Sequence, residues 1–274
     1  MVISDIKRTY NEMHGAERKV ADFILADPQR VTGMSMAELS AETGTSDATV
    51  MRMCRRIELT GFYQLKINLA MEGTDAAAGS GVKPTDGPQD IVSLVDVIAA
   101  NVAQLSKDIS AEQIDACVDL IAEAGTVFTF GWGNTGTLAD DMARRLLCYG
   151  ANTFTSTNIE YMMRSVALAG PGDLLIAFSR SGESVYTIEC CKLAQANGLK
   201  VILITGDAGS AAAKHADVVL KAHPINDVMD GTWGSSSHVY EFVVIDVILF
   251  FLRDRCPAYK LGAKSEAILS QFKN

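Results

Sequence analysis

Residues Asp173–Cys191, DLLIAFSRSGESVYTIECC, read as a buried strand that turns directly into a helix. The apolar run after Asp173 has the length and continuity of a strand covered on both faces. Where it stops, Ser179, Ser181 and Ser184 surround Gly182, more hydroxyls than a turn needs. In an open α/β sheet the carboxyl edge of the strands is where ligands bind. The first turn of the following helix adds unpaired backbone N–H groups and the positive end of its dipole. Three hydroxyls around that point, with a glycine that lets backbone come close, favour a dianionic phosphate monoester. The stretch holds no lysine and no GxxxxGK[ST] pattern, so a nucleoside triphosphate is not favoured. The plainer alternative is that one serine caps the helix and the others line a turn.

A second joint of the same kind lies upstream. FTFGWGNTGTLADDMARR places Gly131, Gly133 and Gly136 after the strand TVFTF (126–130). The spacing imitates a dinucleotide fingerprint, but no acid closes the next strand, NTFTS (152–156), so the ribose-binding carboxylate is missing. The joint reads as the opposite wall of one pocket, with Thr135 supplying a hydroxyl. Around these joints, strands 126–130, 152–156, 173–179, 200–205 and 217–222 alternate with helices 136–149, 159–168, 184–197 and 209–215. Helices 90–106 and 111–124 precede them, and an apolar helix, 236–254, follows. Such alternation predicts right-handed crossovers and a five-stranded parallel, flavodoxin-like sheet with helices on both faces.

The Gly-, Ala-, Asp- and Pro-rich stretch GTDAAAGSGVKPTDGPQD lacks periodicity and reads as a linker. The expected organisation is an all-α domain over residues 1–73, a linker over 74–89 and an α/β domain over 90–274. The net charge of -9 excludes indiscriminate polyanion binding, so any nucleic-acid contact has to come from a local patch. The cysteines show no CxxC and no regular spacing, and read as reduced, mostly buried thiols. The four histidines lack metal-ligand spacing, so neither a metal nor a cofactor is expected. The start of the chain is amphipathic rather than signal-like, and FVVIDVILFFL (Phe242–Leu252) is too short to span a bilayer. A cytoplasmic protein without a membrane partner is expected.

In the first domain, an amphipathic helix from Ala16 is expected to stop at Pro28. Ser35-Met-Ala-Glu38 is a capping box for a second helix, Gly44 suits its left-handed exit, and Ser46 caps a third helix ending near Glu58. These are the proportions of a helix-turn-helix. At 100° per residue, Val50, Met53, Cys54 and Ile57 share one side of the third helix. Ala48, Thr49, Met51, Arg52, Arg55 and Arg56 share the other, giving a basic outward face without an acid. That suits a recognition helix on a double-stranded DNA operator. Ser46 and Thr49 stand at its start, Arg52 reaches a base edge, and Arg55, Arg56 and Lys66 neutralise phosphates. An ordinary solvated helix face is the competing reading.

GAERKVADFILADPQRVTGMSMAELSAETGTSDATVMRMCRRIELTGFYQLKINLAME resembles the helix-turn-helix domain of RpiR-type bacterial transcriptional regulators. IELTGF departs from it, where many relatives carry a Leu-Gly pair; Leu59 and Thr60 are expected to alter the helix exit. GWGNTG and SRSGES resemble the SIS (sugar isomerase) domain that follows in that family, with Thr135 in place of the usual serine. The resemblance implies a regulator of carbohydrate metabolism, controlled by a sugar phosphate held by Thr135, Ser179, Ser181 and Ser184. One such module reads only a half-site, so a homodimer or homotetramer on a palindromic operator is expected. The alternative is an aldose–ketose sugar phosphate isomerase. Its base would have to come from Glu160, His238 or Glu241, none clearly placed by the sequence.

Overall fold

A computed structural model describes residues 2–69, 72, 90–222, 237–255, 267–268 and 270–272. The expected linker, 74–89, lies outside them. Two compact units divide between Val95 and Asp96.

The first unit is helical: α1 (Val2–Thr9), α2 (Ala16–Ala26), α3 (Pro28–Thr32), α4 (Met36–Glu42), α5 (Asp47–Arg56) and α6 (62–69). Pro28 does more than stop α2. It opens α3, where its missing N–H costs nothing, while the Asp27 carboxylate accepts from Arg30 N at 3.1 Å. The capping box at the start of α4 forms as expected, Ser35 accepting from Glu38 N and Glu38 accepting from Ser35 N. Val20, Ile24, Leu39, Val50, Met53, Cys54, Phe62 and Leu65 close into one core. The side of α5 expected to face inward does so.

The exit of α5 differs from expectation in where its oddity lies. Leu59 N donates to Cys54 O at 2.9 Å and Glu58 N to Arg55 O at 3.0 Å. This pair of bonds makes a Schellman ending whose left-handed residue is Glu58, at φ 62°. Glu58, rather than Leu59 or Thr60, occupies the position that a glycine fills without strain.

α7 (Ile91–Asp108) spans the division between the units, and in the second unit α8 (Ala111–Glu123) leads into β1 (Val127–Gly131), α9 (Gly136–Cys148), β2 (Thr153–Thr155) and α10 (Ile159–Leu168). β3 (Leu174–Ser179), α11 (Val185–Ala196), β4 (Lys200–Thr205), β5 (Val218–Lys221) and α12 (Val239–Arg255) complete it. The strands form one parallel sheet in the order β2-β1-β3-β4-β5, the flavodoxin-like arrangement, which reverses direction between β1 and β3. β3 is buried along its whole length. Its Leu174, Ile176 and Phe178 point into the core under α8, α9 and α12, and Leu175 and Ala177 into the core under α10 and α11.

The helix expected over 209–215 is absent except for a single 3-10 turn, Ala213–His215. The backbone before it is committed elsewhere: Gly206 N donates to Arg180 O and Ala212 N to Gly182 O, at 2.8 and 3.0 Å. A segment tied to the serine turn cannot also close helical bonds.

Cys54, Cys117, Cys190 and Cys191 are buried free thiols, and Cys148 is an exposed one. Burial pushes Cys54, Cys117 and Cys191 up to about 12, which keeps them protonated and unreactive.

The left-handed Glu58 carries a cost that glycine lacks, of roughly 1 kcal/mol. Glu58→Gly should therefore stabilise the first unit by about that amount in equilibrium urea unfolding, and unchanged or lowered stability would contradict the assigned exit geometry.

Candidate functional site

The serine turn begins at Ser179, the last residue of β3, which pairs in register with Thr205 of β4 and is 4% exposed. Gly182 N donates back to Ser179 O at 3.1 Å, closing the turn. Gly182 sits at φ +64°, and a Cβ there would lie 1.9 Å from Ser210 Oγ. Only glycine lets the turn settle onto the β4 loop. Ser181 Oγ accepts from Glu183 N at 3.2 Å, and Glu183 Oε1 accepts from Ala211 N at 2.8 Å. Ser184 occupies the N-cap position of α11, yet its side chain makes no capping bond. The start of α11 thus remains uncapped by any of the three serines, contrary to the plainer alternative.

The glycine joint stands beside it. Thr135 is buried, and its hydroxyl lies 3.0 Å from Trp132 O and 3.1 Å from Phe178 O. It links the β1 joint to the end of β3, across the point where strand order reverses. A Cβ on Gly131 would lie 2.3 Å from Thr135 O, so the close approach of the two backbones depends on this glycine. On the β2 side of the joint a cleft of about 320 Å³ is lined by Gly131, Gly136, Ala139, Asp140, Thr155, Ser156 and Thr157. The structure brings Thr135 and the three serines to one edge of the sheet, although that cleft opens beside them rather than over the serines.

Several polar groups here escaped the sequence reading. Arg180, between two of the serines, donates to Ser237 O at 2.6 Å and lies 3.3 Å from His238 Nδ1 and 3.8 Å from Glu241 Oε1. Glu241 is buried, at 3% exposure. Arg180 was visible in the quoted stretch; His238 and Glu241 stood out as candidate bases, but nothing in the sequence paired them with Arg180. Ser210 is buried, and its hydroxyl has no hydrogen-bond partner among the described residues. Glu160, by contrast, points away: it is well exposed and pairs with Arg164 at 2.8 Å, while Asn158 caps α10. Asp140 and Asp141 pair with Arg144 and Arg145 on α9.

In the first unit, the turn between α4 and α5 is held by Thr43, whose hydroxyl donates to Leu39 O at 2.7 Å, and by Gly44 at φ +60°. Ser40 Oγ donates to Asp47 Oδ1 at 2.8 Å, binding the two helices together. Ser46 is exposed at the start of α5 but leaves the helix uncapped; its hydroxyl meets Thr49 Oγ1 at 3.1 Å. Two features of the expected outward face need correction. Thr49 is buried, at 4% exposure, because its position also borders the core. The face is not free of acid either: Glu17 of α2 accepts from Arg56 Nε at 2.9 Å and lies 3.7 Å from Arg52. Arg52 and Arg55 remain exposed, Arg52 at 63% of its side chain. Lys66 is half-buried and donates to Met34 O at 2.8 Å.

Residues 1–75 match the model of the helix-turn-helix domain of the rpiR family, and residues 120–240 match that of the SIS domain. The chain belongs to the rpiR family of transcriptional regulators. An uncharacterized helix-turn-helix regulator of Thermotoga maritima is 28% identical to this rpiR-family chain over 99% of both. The regulator HexR of Pseudomonas aeruginosa is 28% identical, over 90% of this chain and 87% of its own. The Vibrio vulnificus NanR protein, solved in complex with ManNAc-6P, shares the fold with a TM-score of 0.78 at 22% identity, covering 98% of this chain and 97% of that one. Among the described residues of the rpiR-family chain, no helix is long and apolar enough to cross a membrane, and no cluster of His, Cys, Asp and Glu could hold a metal ion.

The steric constraint at Gly182 makes a direct expectation. Gly182→Ala should cost about 1–3 kcal/mol in equilibrium unfolding of the second unit, from backbone strain and collision with Ser210. Adding Ser210→Gly should recover part of that loss, and a Gly182→Ala protein as stable as the parent would disprove the described turn.

Proposed function

We propose that this regulator binds its operator through α5 and is controlled by a phosphorylated sugar seated on the serine turn. The observation that carries the reading is the turn itself. Three serines stand in the turn that leads into α11, and Ser184 at its N-cap makes no capping bond, which leaves the first N–H groups of the helix available to a ligand. Backbone donors, hydroxyls and a helix dipole converging on one place suit a phosphate dianion. Thr135 and the cleft beside it supply room for the rest of the molecule. The complex of NanR with ManNAc-6P supports this chemistry in a protein of the same fold.

On the DNA side, Arg52, Arg55 and Arg56 are all exposed on α5, with Arg56 held at 2.9 Å by Glu17 and Arg52 only loosely paired with it at 3.7 Å. Ser46 stands at the phosphate-facing start of the helix. Thr49 and Lys66 act by shaping this surface, since one is buried and the other bonded to Met34. Pairing of two chains would set the half-site spacing, and the ligand would act by favouring one arrangement of that pair over another. The proposed boundaries remain a DNA-binding domain over 1–73, a linker over 74–89 and a ligand-binding domain over 90–274, in a cytoplasmic homodimer or homotetramer.

Regulation without catalysis is the reading we favour. An isomerase needs a base within reach of two adjacent substrate carbons. Glu160 is turned outward to Arg164, and the Glu241 carboxylate faces Arg180 and His238. Glu160 thus stands away from the turn, and Glu241 and His238 beside it are engaged with Arg180.

Two variants separate the two halves of the proposal. Arg52→Ala should weaken operator retention in a gel shift at least ten-fold, the loss of one base contact, while thermal stabilisation by sugar phosphates persists. Ser181→Ala should abolish that stabilisation and leave apo operator binding intact. Unchanged operator affinity in the first variant, or unchanged stabilisation in the second, would refute the corresponding half, and turnover of any sugar phosphate would restore the enzyme reading.

A further inference from the structure

Two exposed aromatic rings stand at the edge of the proposed phosphate site. Trp132, in the β1–α9 joint, is 44% exposed, and Tyr186, in the first turn of α11, is 43% exposed. Their ring centroids lie 4.4 Å apart, with the planes tilted by 53°. Large aromatics usually bury their area, and a contacting pair left this open at the ligand-binding edge of an α/β sheet calls for a reason.

Each ring is fixed to the site by its neighbours. The carbonyl of Trp132 accepts from the Thr135 hydroxyl at 3.0 Å, so the tryptophan backbone is held by a proposed ligand contact. Tyr186 follows Ser184 by two residues on α11. The pair therefore spans the two joints, one ring from each, across the place where strand order reverses between β1 and β3. Among the described residues, neither the indole Nε1–H nor the phenol hydroxyl has a hydrogen-bond partner. The rings present apolar faces with unused polar tips.

We infer that Trp132 and Tyr186 form a platform that recognises the sugar ring of the ligand, a cyclic sugar phosphate rather than an open-chain one. This rests on the phosphate-cradle reading above and adds to it the part of the site that selects the carbon skeleton. A cyclic sugar has an apolar C–H face and a rim of hydroxyls, which matches tilted aromatic faces with donors at their edges. An acyclic polyol phosphate has no flat face to lay there. The phosphate supplies anchoring common to all such ligands, and the platform supplies the difference between them.

The experiment uses the full chain and calorimetry with inorganic phosphate, glycerol 3-phosphate, and cyclic pentose and hexose phosphates including glucose 6-phosphate and N-acetylmannosamine 6-phosphate. Trp132→Ala should weaken the tightest cyclic ligand by roughly three- to ten-fold, the equivalent of one aromatic contact, and leave inorganic phosphate and glycerol 3-phosphate within two-fold. Trp132→Phe should recover most of the loss, and Tyr186→Ala should reproduce it. With Trp233 replaced by Phe, tryptophan emission should respond to the cyclic ligand and not to inorganic phosphate. Equal binding of cyclic ligands by the parent and Trp132→Ala, or equal weakening of every probe, overturns the platform. So does a parent protein that binds inorganic phosphate but no cyclic sugar phosphate more tightly. A parent that binds none of the probes, inorganic phosphate included, overturns the cradle as well.

Discussion

The close approach of backbone to backbone at the carboxyl edge of the sheet governs the ligand-binding unit. A single carbon added at Gly131 would collide with the Thr135 carbonyl, and one added at Gly182 with Ser210. These two absences of side chain let the β1 joint, the end of β3 and the loop after β4 meet. Thr135 then reaches the Phe178 carbonyl, and the turn is stitched to 206–212 by backbone bonds. That stitching also explains why no helix forms between β4 and β5 before the 3-10 turn. The serine turn is held in place by this framework.

The DNA-binding unit is arranged on a different principle. Its turn is fastened by side-chain hydrogen bonds, Thr43 to Leu39 and Ser40 to Asp47, and its outward cations are divided between exposed and restrained. Glu17 holds Arg56 at 2.9 Å and leaves Arg52 only loosely paired at 3.7 Å. An exposed pair of this kind contributes little to stability, and duplex phosphate can replace the carboxylate as partner. Glu17 thus pairs closely with Arg56 alone and leaves Arg52 mostly exposed.

Much of this was legible in the residues alone. The parallel sheet followed from apolar runs alternating with helices, and the capping box at Ser35 and the glycine at position 44 marked α4 and its exit. The serine turn was visible because its hydroxyls interrupt an otherwise apolar strand end. What stayed hidden depended on distant partners. Helical phase placed Thr49 outward because it counts angle and not the helices that lie against it. Glu17 sits on another helix, and Glu241 meets Arg180 only after the chain has folded. The altered exit of α5 was expected at Leu59 and Thr60, whereas the left-handed residue is Glu58, because a left-handed turn is set by hydrogen-bond geometry that composition does not record. The platform of Trp132 and Tyr186 joins two stretches more than fifty residues apart.

The central claim is that a phosphoryl group on the serine turn is felt by α5 on a duplex, and thermodynamic reciprocity tests it most directly. With operator DNA selected from random duplexes, the operator affinity is measured with and without saturating sugar phosphate, and the sugar phosphate affinity with and without saturating operator. The account requires both ratios to differ from one by the same factor. Ratios of one, with both ligands bound, would show two sites that share a chain and nothing else.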